Sequence, residues 1–248
     1  MNTDFYQTRM GELDVVVARH AQADAIDGAV VLCHGFGAPG TDLVPVSVEI
    51  FQHLPQLKNV LFVFPAAPLT IEPGFDGRAW WPIDMDLLQR MIEAGEFRDL
   101  GESKPERLER SRDLIEEVIA QCCESFSLER KQIVIGGFSQ GAMLTTHVML
   151  KSESPLGGLV IWSGALINES EWRRLVADQS AIPIVQSHGR TDPILPMVGA
   201  EALRELLVGG GFPVQFIAFD GPHTIPPQAI EAAAELIGEV LGKPATKE

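Results

Sequence analysis

"QIVIGGFSQGAMLTTHVML", residues 132–150, decides how the chain folds, because the secondary-structure pattern changes abruptly around one serine. Ile133, Val134 and Ile135 form a β-branched apolar run of the kind that fills a buried strand. Beyond the serine, Ala142, Met143, Leu144, His147, Val148 and Leu150 follow a largely apolar helical pattern. Gly136, Gly137, Phe138, Ser139, Gln140 and Gly141 lie between the two. A strand that becomes a helix across one residue forces that residue into strained dihedrals, and small neighbours two positions away on either side relieve the crowding. Gly137 and Gly141 occupy those positions. The turn would present the Ser139 hydroxyl at the carboxyl end of a strand and the amino end of a helix, where backbone donors favour developing negative charge. A nucleophile belongs there. A Gly-x-Ser-x-Gly match arises by chance roughly 0.1 times in a chain of this composition, so the setting of strand before and helix after carries the reading. The plain alternative is a glycine-rich connection with an N-capping serine.

Similar β-rich segments lie on both sides: "ELDVVVARH", "GAVVLCHG", "NVLFVFPA", "GLVIWSG", "IPIVQSHG" and "PVQFIAFDG". Most after the first are nearly continuous apolar runs, as strands buried on both faces of a parallel sheet read. Helical patterns alternate with them. One runs over 105–126 with Leu108, Ile115, Val118, Ile119, Cys122 and Phe126 on one face, and another from Leu195 to the glycines at 209–211. A third covers 226–241, with Ile230, Ala233, Ile237 and Leu241 as its stripe. The alternation predicts an α/β fold, a mainly parallel sheet with helices on both faces, in a single domain spanning 1–248. Active sites in such folds collect at the carboxyl ends of the strands.

Three more strand ends carry chemically capable residues: "CHGFGAPG" at the end of strand 29–33, "SHGRTDPILP" after strand 182–186, and "DGPHTIPP" after strand 214–219. A serine hydroxyl needs a base to take its proton. Of six histidines, His223 is the candidate, in a loop stiffened by prolines between the last strand and the last helix. His34 and His188 also stand at strand ends, but each is followed by glycine, where an imidazole braces a loop by hydrogen bonds. The base needs a carboxylate to fix its tautomer, and Asp192 is the choice over Asp220, which sits three residues before His223 and reads as an Asx-turn former. The bland role for Asp192 is to cap a helix ahead of Pro193. Donors for an oxyanion are expected from the backbone N–H of Gln140 and, through the "HGFG" loop, of Phe36. Ser, Asp and His occur in that order along the chain.

Composition excludes some partners. A net charge of −15 argues against nucleic acid or an anionic membrane surface, both of which need a positive face. The amino-terminal stretch has no continuous apolar h-region and no segment is long enough to span a bilayer, so neither a secretory signal nor stable membrane insertion is expected. Cys33, Cys122 and Cys123 form no disulfide framework and show no zinc-ligand spacing, which suits a cytoplasmic protein with free thiols and no metal.

Taken together, "HGFGAPGTDLVP", "FPAAPLTIEPGFDGRAWWPID", "IGGFSQGAMLT", "SGALI", "HGRTDPILP" and "GPHTIP" resemble the phospholipase/carboxylesterase group of α/β-hydrolases, which includes the acyl-protein thioesterases. The resemblance runs from about residue 29 to the last helix. It implies a triad of Ser139, Asp192 and His223, an oxyanion hole from Phe36 and Gln140, supporting roles for His34, Gly35, Gly137 and Gly141, and hydrolysis of small-molecule esters or thioesters without a cofactor. The chain departs from the group in having Ala142 where a second glycine is usual, and in a longer segment after Trp81. In that segment, 82–104, Met85, Leu87, Leu88, Met91, Ile92 and Phe97 suit a lid or acyl-chain wall, or else an amphipathic helix packed on the core. The leading expectation is a serine carboxylesterase. Alternatives are a thioesterase or lysophospholipase acting on long acyl chains and, from another class, a catalytically silent binding protein on a hydrolase scaffold. The sequence leaves oligomeric state open.

Overall fold

The computed structural model describes residues 3–72, 74–94 and 100–242. Its strands, in chain order, are β1 (Thr3–Met10), β2 (Leu13–His20), β3 (Gly28–Cys33), β4 (Val60–Pro65), β5 (Leu69–Thr70), β6 (Arg78–Ala79), β7 (Ile133–Phe138), β8 (Gly158–Trp162), β9 (Ile184–Gly189) and β10 (Val214–Phe219). The helices are α1 (Val44–His53), α2 (Met85–Ala94), α3 (Leu108–Phe126), α4 (Gln140–Leu150), α5 (Glu169–Leu175), α6 (Met197–Gly209) and α7 (Pro227–Leu241). Eight strands form one sheet in the order β1-β2-β4-β3-β7-β8-β9-β10, and β5 pairs with β6 apart from it. β1, β2 and β4 pair antiparallel, and every contact from β4 across to β10 is parallel. This is the α/β-hydrolase architecture.

Alternation along each strand divides the core between the two faces. Val31, Cys33, Ile133, Ile135, Leu159 and Ile161 face α3, α4 and α6, while Val30, Leu32, Val134, Val160, Trp162 and Val185 face α1 and α7. β3, β4, β7 and β8 are therefore covered on both sides, which explains their continuous apolar runs. α4 is buried at every position from Gln140 to Leu150, so the helix that follows Ser139 lies in the molecule's interior and cannot shift without disturbing its packing.

Three elements depart from the expected bounds by more than one residue, and one strand is additional. The strand expected over 182–186 is β9, which continues to Gly189 because Ser187, His188 and Gly189 pair with Ile217, Ala218 and Phe219 of β10. Its polar residues Gln186, Ser187 and His188 are fully buried, so hydropathy fades before the strand does. The helix expected from residue 105 begins at Leu108, since Arg107 takes up a left-handed φ of 69°. The helix expected from Leu195 begins at Met197. β1 carries no hydropathy signal: its residues from Asp4 to Arg9 are exposed, and it shows no apolar face. Within 82–104, α2 occupies 85–94; residues 95–99, including Phe97, and the side chains of Leu87, Leu88, Met91 and Ile92 lie outside the described residues.

Candidate active site

Ser139 joins β7 to α4 with φ 54° and ψ −115°, a conformation that L-residues adopt only under constraint, at a cost of about 1–3 kcal/mol. The constraint comes from both sides. The Ser139 N–H donates to the Trp162 carbonyl at 2.9 Å, and its own carbonyl accepts from the Met143 N–H at 3.1 Å to begin the helix. The N–H groups of Gln140, Gly141 and Ala142 precede that first intrahelical bond, so they form the donor-rich end of α4 beside the Ser139 hydroxyl. A Cβ on Gly137 would overlap the Cys33 carbonyl oxygen and come within 2.7 Å of the Gly141 carbonyl carbon. Both flanking positions are closed to larger residues.

The loop after β3 packs onto this turn. A Cβ on Gly35 would lie 3.4 Å from Ser139 Cβ and 3.1 Å from Phe138 Cδ1. The Gly37 N–H donates to the Arg78 carbonyl at 2.9 Å and the Arg78 N–H to Ala38 at 3.1 Å, so β6 holds the loop on the far side of Phe36. On the near side, buried His34 accepts from the Ala67 N–H through Nε2 at 3.1 Å. Its Nδ1 is then the protonated nitrogen and donates to the Gly35 carbonyl at 2.8 Å. Burial keeps His34 below the usual imidazole range, consistent with a neutral brace. Trp80 completes the arrangement: its indole N–H donates to the His34 carbonyl at 3.0 Å, and its backbone N–H to the Gln140 side chain at 2.9 Å.

His223 and Asp192 come from the loops after β10 and β9. His223 Nδ1 is 2.6 Å from Asp192 Oδ2, and its ring lies 4.7 Å from the Phe138 ring, next to Ser139. The other carboxylate oxygen, Oδ1, accepts from the Ile194 and Leu195 N–H groups at 2.8 and 2.9 Å. Burial pushes the Asp192 carboxyl up, but the His223 hydrogen bond and charge and the two backbone donors outweigh it, leaving the group below the ordinary carboxylate range. Asp192 is therefore ionised at neutral pH and accepts from the His223 Nδ1–H, so in the neutral ring Nε2 is the acceptor. Asp220, the rival on sequence, has a 95% exposed side chain that pairs with Arg190 at 3.3 Å. The cysteines offer no competing nucleophile. Burial pushes the Cys122 thiol up to about 12 and raises Cys33 as well.

Three residues make contacts that the sequence does not reveal. Ser163, buried with φ 51°, donates its hydroxyl to the Thr224 carbonyl at 3.2 Å and so ties the His223 loop to the end of β8. The Gln140 side chain accepts from Trp80 and donates to the Trp81 carbonyl at 2.9 Å, linking the turn to the segment that leads into α2. His188 reaches the Leu195 carbonyl and the Asp192 carboxylate. The "SG" after β8 and the "HG" of "SHGRTDP" were visible signals, but their partners were not.

Comparison with known proteins agrees with this fold. A family model described as Phospholipase/Carboxylesterase matches residues 14–241. Acyl-protein thioesterase 1 of Eremothecium gossypii is 32% identical over 225 residues, covering 88% of this chain and 89% of its own length. Acyl-protein thioesterase 1 homolog 1 of Dictyostelium discoideum is 27% identical, covering 86% and 91%. Among solved structures, esterase PE8 superposes with a TM-score of 0.73 at 25% identity, covering 91% of this chain and 97% of its own. A carboxylesterase from Mesorhizobium loti superposes with a TM-score of 0.72 at 15% identity, covering 94% and 98%, and speaks for the fold alone.

Proposed function

The chain belongs to the phospholipase/carboxylesterase family, and from that membership we propose a carboxylic ester hydrolase that works through Ser139, His223 and Asp192. The observation that carries the assignment is the 2.6 Å contact between His223 Nδ1 and the buried Asp192 carboxylate, beside a serine held at φ 54° between a strand and a helix. Ser139 Oγ attacks the ester carbonyl carbon while its proton passes to His223 Nε2. The carbonyl oxygen becomes an oxyanion facing the backbone N–H groups of Gln140 and Phe36. Collapse breaks the bond to the alkoxy oxygen, which leaves with the proton from His223, and water then repeats the sequence on the acyl-enzyme.

Thioester cleavage on long acyl chains is the second reading. It is favoured by the 32% identity to an acyl-protein thioesterase and by the exposed apolar side chains of Ile71, Phe75 and Ile194 in loops at the carboxyl end of the sheet. A thiolate leaves more readily than an alkoxide, so the same groups serve both reactions. The three free cysteines, two of them buried, favour the reducing cytoplasm as the site of action. Among the described residues no helix is long and apolar enough to cross a membrane.

The test is a series of chromogenic esters and matched thioesters from acetyl to palmitoyl, run beside labelling with a fluorophosphonate. One equivalent of label on Ser139, with loss of hydrolysis, is the expected result, and the preferred chain length separates a small-ester carboxylesterase from a long-acyl hydrolase. A protein that neither reacts with the probe nor turns over any member of the series would be a silent binder. The pH profile adds a second check. Only neutral imidazole can take the serine proton, so kcat/KM should fall tenfold per unit as pH drops below the His223 ionisation. With Asp192 held below the ordinary carboxylate range, it stays ionised through the imidazole range and adds no second ionisation to that limb. A flat profile, with chemistry rate-limiting, would remove His223 as the base.

A further inference from the structure

Asp192 faces two histidines. Beyond His223, His188 at the end of β9 lies fully buried with Nε2 2.7 Å from the Leu195 carbonyl and 3.4 Å from Asp192 Oδ2, the same oxygen that holds His223. The Leu195 carbonyl accepts only from an N–H, so Nε2 carries the proton of His188 and donates it to that carbonyl, with Asp192 Oδ2 3.4 Å from the same nitrogen in electrostatic rather than hydrogen-bonding contact. Nδ1 has no hydrogen-bond partner among the described residues, so the bond to Leu195 alone orients the ring. Leu195 is thus gripped twice, its N–H by Asp192 Oδ1 and its carbonyl by His188. The strand pairing of His188 with Ala218 makes the anchor rigid.

We propose that His188 is a positioning residue for the Asp192–His223 pair: by holding the Leu195 carbonyl it fixes which carboxylate oxygen faces His223, and its Nε2–H dipole, with the nitrogen 3.4 Å from Oδ2, moderates the negative charge there. The titratable groups that act on His188 are Asp192, from the same loop, and His223, from the loop after β10. Burial keeps His188 below the usual imidazole range, so it donates as a neutral ring while His223 changes charge. Without the His188 N–H, Asp192 Oδ2 would present more of its charge to His223 and favour the imidazolium, so His223 would give up its proton only at higher pH. Simple bracing predicts the reverse. A loosened Leu195 loop would let Asp192 drift from His223, and the imidazolium would lose support.

The inference rests on Asp192 and His223 belonging to the catalytic machinery. The experiment is the pH profile of kcat/KM on a chromogenic ester for the wild type, His188→Met and His188→Gln, with Ser139→Ala as control. His188→Met removes the N–H at similar volume and should move the acid limb up by about half a pH unit. His188→Gln restores an N–H near the Nε2 position and should return the limb toward the wild type. A limb that stays in place or moves down in His188→Met, while hydrolysis still depends on Ser139, overturns the proposal. Hydrolysis that does not depend on Ser139 would overturn the underlying assignment instead, and the inference with it. Should His188→Met fail to fold, nitrogen-15 NMR on the wild type decides: His188 should remain the neutral Nε2–H tautomer throughout the His223 titration. Protonation of His188 in that range would overturn the role.

Discussion

Ser139→Ala is expected to lower kcat/KM for carboxylic esters by about 10⁴-fold or more and to abolish fluorophosphonate labelling, while the thermal midpoint stays within a few degrees of the wild type. The argument separates chemistry from folding. Alanine has the same backbone limits as serine, so the strain at φ 54°, ψ −115° is unchanged, and the hydrogen bonds that impose it use the main-chain N–H and carbonyl of residue 139. What disappears is the oxygen proposed to form the acyl-enzyme. Residual hydrolysis should remain above the uncatalysed rate, because the donors of the 35–36 loop and of the α4 amino end are still in place and can stabilise an oxyanion formed by direct attack of water. A variant that keeps full activity would place the nucleophile elsewhere. A variant that loses activity together with its cooperative unfolding transition would say only that the turn had collapsed, and the paired thermal measurement excludes that outcome.

The turn at Ser139 is legible in sequence because its constraint is steric and local: two glycines in the required positions, with an apolar run before and a helical pattern after. The loops of Asp192 and His223 are legible for a related reason, since a parallel sheet gathers its strand ends and leaves few titratable residues there. Choosing between Asp192 and Asp220 is different in kind. Asp220 is three residues from His223 in sequence and points into solvent, whereas Asp192 is 31 residues away and buried against it. Separation along the chain says nothing about direction across a strand end. β1 escaped notice because a strand exposed from Asp4 to Arg9 has no apolar periodicity to report. β9 outruns its apolar stretch because Ser187 and His188, polar yet fully buried, extend the pairing with β10, which hydropathy cannot register. The second histidine on Asp192 was hidden likewise. Its placement after a strand and before a glycine suggested a brace, and the atom it braces is fixed only when β9, its loop and β10 come together.

Gly141→Ala is expected to destabilise the fold by at least about 3 kcal/mol and to give little protein that folds cooperatively. The reason is the identity of the atoms in the way. A Cβ at Gly141 would overlap the Cys33 carbonyl oxygen, lie 2.5 Å from the Cys33 carbonyl carbon and come within 2.6 Å of the His34 carbonyl oxygen. All three are backbone atoms, two of Cys33 at the end of β3 and one of His34 just after it; Cys33 pairs with Gly137 of β7 and cannot withdraw without disturbing that ladder. Nor can the helix retreat, because every residue of α4 is buried. Intrinsic helix propensity points the other way: alanine is favoured over glycine by about 1 kcal/mol in a helix interior, and less at a first turn. Steric exclusion must therefore outweigh that gain. Gly199→Ala in the first turn of α6, where the new Cβ would meet only the Ala165 side chain at 3.2 Å, is the matched control and should unfold within a few degrees of the wild type. Chemical denaturation of both variants tests the claim. If Gly141→Ala unfolds as the wild type does, the close approach of α4 to the end of β3 is wrong, and with it the path by which the fold holds Ser139 against the 35–36 loop. If it loses stability as expected while Gly199→Ala does not, the glycine after Ser139 is required by the packing of the helix against the strand end, quite apart from any chemistry the serine performs.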